Sequence, residues 1–243
     1  VSSPSAGDHA LPGTNEFPPL GFNYNTSHLG IAYGIDSAGG YPELNGNYHY
    51  RNGNFLYNAW NTPKIFATNS YFNLTNFEND KFRHADGHSK IIGYCFDGYP
   101  IYGPYGYTIA TDINTPVVQM TSSYKILPND NHRPNNFKFD RTVDIDGVGT
   151  ITLDAGSFIQ DFEYKEGHGT LDRYNGRYTT TPDFPNGTYA YFLTFEKTTV
   201  DIGIESVKPS YPYILGEETK QNRNLLEDID QNVLDAALSL NAL

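Results

Sequence analysis

Arg83-His84-Ala85-Asp86-Gly87-His88-Ser89-Lys90 runs directly into Ile91-Ile92-Gly93-Tyr94-Cys95-Phe96-Asp97-Gly98-Tyr99-Pro100-Ile101-Tyr102-Gly103-Pro104-Tyr105-Gly106-Tyr107. The second half of this stretch decides the fold class. Asp97-Gly98 is a turn dipeptide between strand-like residues, so Ile91 to Phe96 is expected to meet Tyr99 to Tyr102 as a β-hairpin. The same signal recurs at Asn45-Gly46, Asn52-Gly53, Asp146-Gly147, Asn175-Gly176 and Asn186-Gly187. Type I′ turns need positive φ at both central residues, which is why these dipeptides serve them. Tyr48 to Arg51 is expected to meet Asn54 to Tyr57 across Asn52-Gly53. Val148 to Leu153 follows Asp146-Gly147 as a strand, and Thr188 to Thr194 alternates cleanly after Asn186-Gly187. The expected fold is all-β: an antiparallel, hairpin-rich sandwich or barrel-like domain with long ordered loops.

Composition narrows the function. The 243 residues carry 16 Lys plus Arg against 28 Asp plus Glu, for a net charge of −12. That balance repels phosphate backbones, so nucleic acid is excluded as the expected partner. No apolar run of about 18 residues exists, so no membrane-spanning helix is expected. The chain opens Val1-Ser2-Ser3-Pro4, which reads as a processed or trimmed end. Cys95 is the single cysteine; it has no partner for an internal disulfide and reads as a small core residue. The 20 Tyr and 15 Phe suit pleated surfaces, where rings pack and hydroxyls find polar partners. An acidic, tyrosine-rich chain of this kind points to an extracellular or virion-surface protein.

Three regions are expected. Residues 1–20, rich in Pro, Gly and Ser, read as an extended arm, and residues 21–216 as the β domain. Within that domain, 108–142 is a weak region with a loop around Pro128-Asn129-Asp130-Asn131-His132-Arg133-Pro134. Residues 217–243 contain no Gly or Pro, and Leu226, Ile229, Val233, Ala237 and Leu240 recur at helical spacing. They read as an amphipathic helix, either packed on its own domain or pairing with other copies of the chain.

Three segments together resemble the YHYH-domain family. They are Gly46-Asn47-Tyr48-His49-Tyr50-Arg51, the stretch from His84 to Tyr107, and Gly169 to Arg177 continuing through Thr181-Pro182-Asp183-Phe184-Pro185-Asn186-Gly187 to Gly216. The variant most similar to this chain occurs in large structural proteins of marine cyanobacterial phages and in marine bacteria. The resemblance carries no established activity. Arg51 stands where the family has its second histidine, and Tyr41 where another is expected. If those histidines bind metal in relatives, this copy lacks part of the site.

His84, Asp86 and His88 are the densest group of ligand-type side chains. On an ideal strand His84 and His88 would lie roughly 13 Å apart at about 3.3 Å per residue, too far to grip one ion at about 2.0–2.3 Å. Gly87 points instead to a bend. Two readings are open. In one, His49, His84 and His88 bind a divalent metal ion, with Asp86 as ligand or general base, as a metal-dependent hydrolase would require. In the other, the same side chains form a hydrogen-bond network that braces the loops. Asp86 and Asp172 are the acid–base candidates. Asp97 reads as a turn residue. Asp172, Arg173, Asn175 and Arg177 form a second polar cluster expected to pair internally or brace a loop. Trp60, with Tyr57, Tyr102, Tyr105 and Tyr107, is the candidate glycan-facing surface; the alternative places these rings in the core.

No nucleophile elbow, phosphate loop or His-Glu-x-x-His helix is present. Asp144-Ile145-Asp146-Gly147 begins like a calcium loop but lacks the downstream acid. Asn25, Asn73 and Asn186 head glycan-acceptor tripeptides. The expected function is therefore a non-enzymatic structural or adhesive module of an extracellular or virion assembly, a phage appendage for instance. Its expected partners are other copies, virion proteins or a cell-surface glycan. A metal-dependent hydrolase is the alternative from another class, and glycan binding a third reading.

Overall fold

The computed structural model describes residues 18–25, 40–42, 48–50, 72–73, 83–95, 97–145, 149–200, 204–216 and 218–221. Among them the chain is all-β, with no α-helix and two 3-10 turns, Asn135–Phe137 and Ile159–Asp161. The first pair is β1 (Gly40–Pro42) with β2 (Tyr48–Tyr50), in which Tyr41 stands opposite His49. β3 (Phe72–Asn73) edges the hairpin of β14 (Phe195–Val200) and β15 (Ile204–Pro209). The central sheet contains β4 (Ile91–Tyr94), β5 (Pro100–Tyr102), β12 (Gly176–Thr179) and β13 (Thr188–Phe192), ordered β12-β13-β5-β4. Three further antiparallel pairs are β6 (Tyr105–Tyr107) with β7 (Val117–Gln119), β8 (Tyr124–Ile126) with β11 (Phe162–Tyr164), and β9 (Thr142–Ile145) with β10 (Gly149–Thr152).

Two expectations are corrected in the central sheet. It is mixed, because β13 pairs with β5 in parallel through Tyr191 and Ile101. Nor does β13 alternate between core and solvent: Tyr189 to Phe192 are all buried. The reason is that both faces of this inner strand are covered. Ala190 and Phe192 pack with Tyr102, Met120 and Leu171 on one face. Tyr189 and Tyr191 pack with Cys95 and Ile101 on the other. Cys95 is thus a core residue. A strand flanked on both edges and both faces reads as a continuous apolar run rather than a period of two.

The turn dipeptides among the described residues do mark turns, but not of type I′. At His84–Gly87, Cys95–Gly98 and Asp172–Asn175 the fourth amide donates to the first carbonyl, at 2.9, 2.9 and 3.0 Å. The first amide donates in turn to the fifth carbonyl, at 2.8, 2.9 and 2.8 Å. Among the described residues of these turns positive φ falls on the fourth alone: 93° at Gly87, 84° at Gly98 and 62° at Asn175. This is the three-residue hairpin loop, in which a left-handed residue closes the turn as a bulge. In the Asp-Gly pairs the glycine takes the left-handed position. The aspartate before it stays right-handed and uses its carboxylate to hold the loop. Asp86 Oδ1 accepts the His88 amide at 2.9 Å, Asp97 Oδ1 the Tyr99 amide at 3.3 Å, and Asp172 Oδ1 the Tyr174 amide at 2.9 Å.

A second core lies away from the central sheet, where Tyr24, Phe137, Val143, Ile145, Leu153 and Phe158 pack together. Tyr24 bridges to Phe158, which ties the segment before the first strand to this core. The weak region of the sequence is organised here by one buried cation. Arg133 donates Nε to Asp161 Oδ1 at 2.8 Å and Nη2 to Asp161 Oδ2. Its remaining N–H groups reach the carbonyls of Phe137, Leu153 and Asp154 at 3.1, 2.6 and 2.6 Å. The loop is ordered because each of these bonds pins a different stretch of backbone.

At the C-terminal side, residues 218–221 are not helical, which moves the start of any helix past the expected 217. Their amides are used on the β domain instead: Lys220 N donates to the Tyr191 hydroxyl at 2.7 Å and Gln221 N to Asp97 Oδ2 at 3.3 Å. The rest of the expected helix, residues 1–17 of the arm, the Asn52-Gly53 hairpin and Trp60 lie outside the described residues. Replacing Tyr191 by phenylalanine tests the tail contact. The hydroxyl also donates to Asp97 Oδ2 at 2.5 Å, so its loss strips a buried carboxylate of its main donor. A cost of about 1–3 kcal/mol is expected in urea titration, with faster exchange at the Lys220 amide.

Candidate functional site

The bend predicted at Gly87 is present, and it gathers the signature side chains around a buried imidazole. His88 is wholly buried, with its ring 4.8 Å from that of Tyr107, 5.1 Å from Tyr102 and 6.1 Å from Phe192. Its Nδ1 lies 2.7 Å from the Ser89 carbonyl, which can only accept, so the ring proton sits on Nδ1 and the lone pair on Nε2. That Nε2 is buried without a protein partner. Burial lowers the His88 pKa, outweighing the Ser89 bond and the Asp86 charge, so the ring is neutral at pH 7.

His84 stands at the first position of the same turn, its ring centre 6.4 Å from that of His88. Its Nε2 donates to Asp183 Oδ2 at 3.2 Å. Asp183 also accepts the Tyr102 hydroxyl at 3.1 Å, and with that proton committed, Tyr102 accepts from Thr181 at 2.8 Å. Asp86, on the other side of the turn, accepts the Tyr107 hydroxyl on Oδ2. Partial burial opposes ionisation of Asp86, but the Tyr107 hydroxyl and the His88 amide outweigh it, and the carboxyl is held below its ordinary pKa.

One device recurs across the domain. A turn aspartate fixes its own loop with one oxygen and receives a tyrosine hydroxyl from a neighbouring strand. Asp86 takes Tyr107, Asp97 takes Tyr191, and Asp172 takes Tyr189 at 2.8 and 2.9 Å to its two oxygens. Asp183 with Tyr102 is a fourth phenol–carboxylate pair. Burial first, and the facing carboxylates second, push the pKa of Tyr107, Tyr189 and Tyr191 up. Each phenol therefore remains a hydrogen-bond donor at any physiological pH.

Of the two expectations for the second polar cluster, its residues brace the loop and do not pair with one another. Asp172 is occupied by Tyr189 and by the amides of Tyr174 and Gly176. Arg173 lies over the Tyr174 ring at 5.9 Å. Asn175, fully buried, donates to the carbonyls of Phe192 and Ile214 at 2.9 and 3.1 Å. Arg177 turns the other way, giving Nη2 to the Tyr107 carbonyl at 2.6 Å and lying 5.7 Å over the Phe192 ring. Burial pushes its pKa down to about 10, so it stays charged at neutral pH. This arm connects the Asn175 turn to the His88 surroundings. The four residues diverge because they span a tight turn and the start of β12, from which their side chains reach different strands.

The tyrosine surface is also corrected. Tyr102, Tyr105 and Tyr107 are 0%, 8% and 1% exposed, so they are core rings, closed off from a sugar by their burial. His49 lies on β2, with its side chain outside the described residues. No three His, Cys, Asp or Glu among the described residues are grouped to hold a metal ion. Sequence reasoning missed Thr181, Asp183 and Ser89 as members of the His84 and His88 surroundings. It also missed the whole Arg133–Asp161–His132 group, in which His132 Nε2 lies 2.8 Å from Asp161 Oδ1. Asp183 does sit in the Thr181-Pro182-Asp183-Phe184-Pro185 run quoted above, a signal that was available but carried no role.

No curated protein and no solved structure matches the chain. A family model does, the one described as YHYH protein, over residues 6–203. That span contains β1 to β14, the His84–His88 turn and all four phenol–carboxylate pairs, and the chain belongs to the YHYH protein family.

Proposed function

We propose that this chain is a non-enzymatic structural or adhesive module of an extracellular or virion assembly. The observation that carries the reading is the use made of the signature carboxylates. Asp86, Asp97 and Asp172 each accept an amide of their own turn and a tyrosine hydroxyl from another strand. Side chains that an enzyme would leave free for chemistry here hold loops against strands. The resemblance to phage structural proteins, the acidic charge of −12 and the high tyrosine content support the same reading. The smaller sheets wrapping the central one as a sandwich, and an amphipathic helix after residue 221 pairing copies of the chain, complete the proposal.

Sedimentation of the full chain tests it. The protein is expected to form a defined oligomer, and Leu226→Glu with Val233→Glu to convert it to a monomer with unchanged thermal stability. A wild-type chain that stays monomeric throughout, in the presence and absence of surface glycans, would remove the basis for an assembly role.

A further inference from the structure

The frame of turns and tyrosines leaves two imidazole nitrogens unused, and they belong to neighbouring rings. His88 gives its proton to the Ser89 carbonyl and keeps a lone pair on the buried, unpartnered Nε2. His84 spends its Nε2 on Asp183 and has Nδ1 as its second ring nitrogen, with a quarter of its side chain open to solvent. This is the arrangement that metal-ligating histidines carry. The nitrogen away from the ion donates to a carboxylate or a backbone carbonyl, which fixes both tautomer and ring orientation.

The separation of the rings narrows the ion. Two imidazoles bound at about 2.0–2.1 Å on opposite sides of one ion place their ring centres about 6.3 Å apart, against about 5.3 Å at a tetrahedral angle. The observed ring-centre distance is 6.4 Å, a spacing that leaves room for the wide angle. Zinc sites are tetrahedral, whereas copper accepts linear and square-planar nitrogen sets and binds nitrogen ligands most strongly among the divalent first-row ions. The rings of Tyr102, Tyr107 and Phe192 hold the His88 imidazole from several sides, so the ligand is preorganised.

We propose that His84 Nδ1 and His88 Nε2 form a two-histidine copper site, with Asp183 and the Ser89 carbonyl as the groups that orient them. Among the described residues no third His, Cys, Asp or Glu joins these two. Asp183 is a positioning residue, acting through His84. The site uses residues separate from the C-terminal apolar stripe, so its failure and the failure of the assembly reading are told apart by different variants.

Copper(II) titrated alone into the untagged full chain tests the proposal. One ion per chain is expected, with an electron paramagnetic resonance spectrum showing coupling to two imidazole nitrogens, and zinc binding more weakly. His84→Ala, and His84→Gln as the variant that keeps more of the side chain's volume, are expected to lose at least about tenfold in copper affinity and one nitrogen coupling. Asp183→Asn is expected to lose about 10–100-fold, the usual cost of removing a group that orients a ligand. Thermal unfolding of each variant without copper verifies that the fold is intact. Copper binding that is absent in the wild type, lacks nitrogen coupling, or is unchanged in both His84 variants overturns the site.

Discussion

Arg133→Ala is expected to destabilise the protein by about 3–5 kcal/mol, the range for stripping one partner from a buried ion pair. Arg133 and Asp161 have side chains fully shielded from solvent. The guanidinium holds Asp161 with two nitrogens and ties down three carbonyls besides. Asp161 in turn caps the amides of Gly156 and Phe158 at 2.9 and 3.0 Å. Removing the cation leaves a carboxylate in an apolar setting, supported by those two amides and His132. Urea unfolding at neutral pH measures the loss. In the double variant Arg133→Met with Asp161→Leu the combined cost should fall below the sum of the single variants, because no uncompensated charge remains. Additive costs would mean that the two residues act independently.

The pH dependence follows from the same group. Burial works against ionisation of Asp161, but Arg133, the Phe158 amide and His132 outweigh it and hold its pKa below the ordinary 3.8. A carboxyl depressed on folding contributes stability that is present above its unfolded pKa and lost as the pH falls through the folded one. The wild type should therefore keep this contribution down to about pH 4 and lose it below. In Arg133→Ala the main force lowering the pKa is gone and burial raises it. The gap between variant and wild type should then narrow on acidification, and a gap constant from neutrality to pH 3.8 would contradict the assignment.

Phe192→Ala should cost a similar amount, about 3–5 kcal/mol, for a different reason. Phe192 is 0% exposed on the inner strand β13. Its ring stacks on Tyr102 at 5.7 Å, faces the His88 ring at 6.1 Å, and lies under the Arg177 guanidinium. The substitution removes apolar burial and opens a cavity that strands on both sides are too tightly paired to close. Phe192→Leu fills most of the volume and should cost clearly less than the alanine variant. Equal losses for the two would mean that ring geometry, rather than filled volume, holds the site together.

Much of the fold was legible along the chain because it rests on local chemistry. Asp97-Gly98 and Asp146-Gly147 lie between strands that do pair as antiparallel hairpins. The turn type at Asp97-Gly98 was misread because Asp-Gly satisfies two geometries. Glycine supplies the left-handed residue in both, and what decides is whether the aspartate's carboxylate is used on its own loop. The burial of Cys95 was legible too, from its apolar neighbours. The alternation expected after Asn186-Gly187 failed because strand burial depends on what covers each face, and that cover comes from Met120, Leu171 and Cys95, remote in sequence.

By itself the sequence determined the all-β class, the family, the acidic net charge and the grouping of His84, Asp86 and His88, since each of these depends on residue identity or on contacts within a few positions. Tertiary structure alone decided what those groups touch. Asp183 reaches His84 across 99 positions, Tyr191 reaches Asp97 across 94, and Arg133 reaches Asp161 across 28. Pairings of that span leave no periodic trace, because the free energy that selects them comes from burying a polar atom beside its partner after the chain has already folded back on itself.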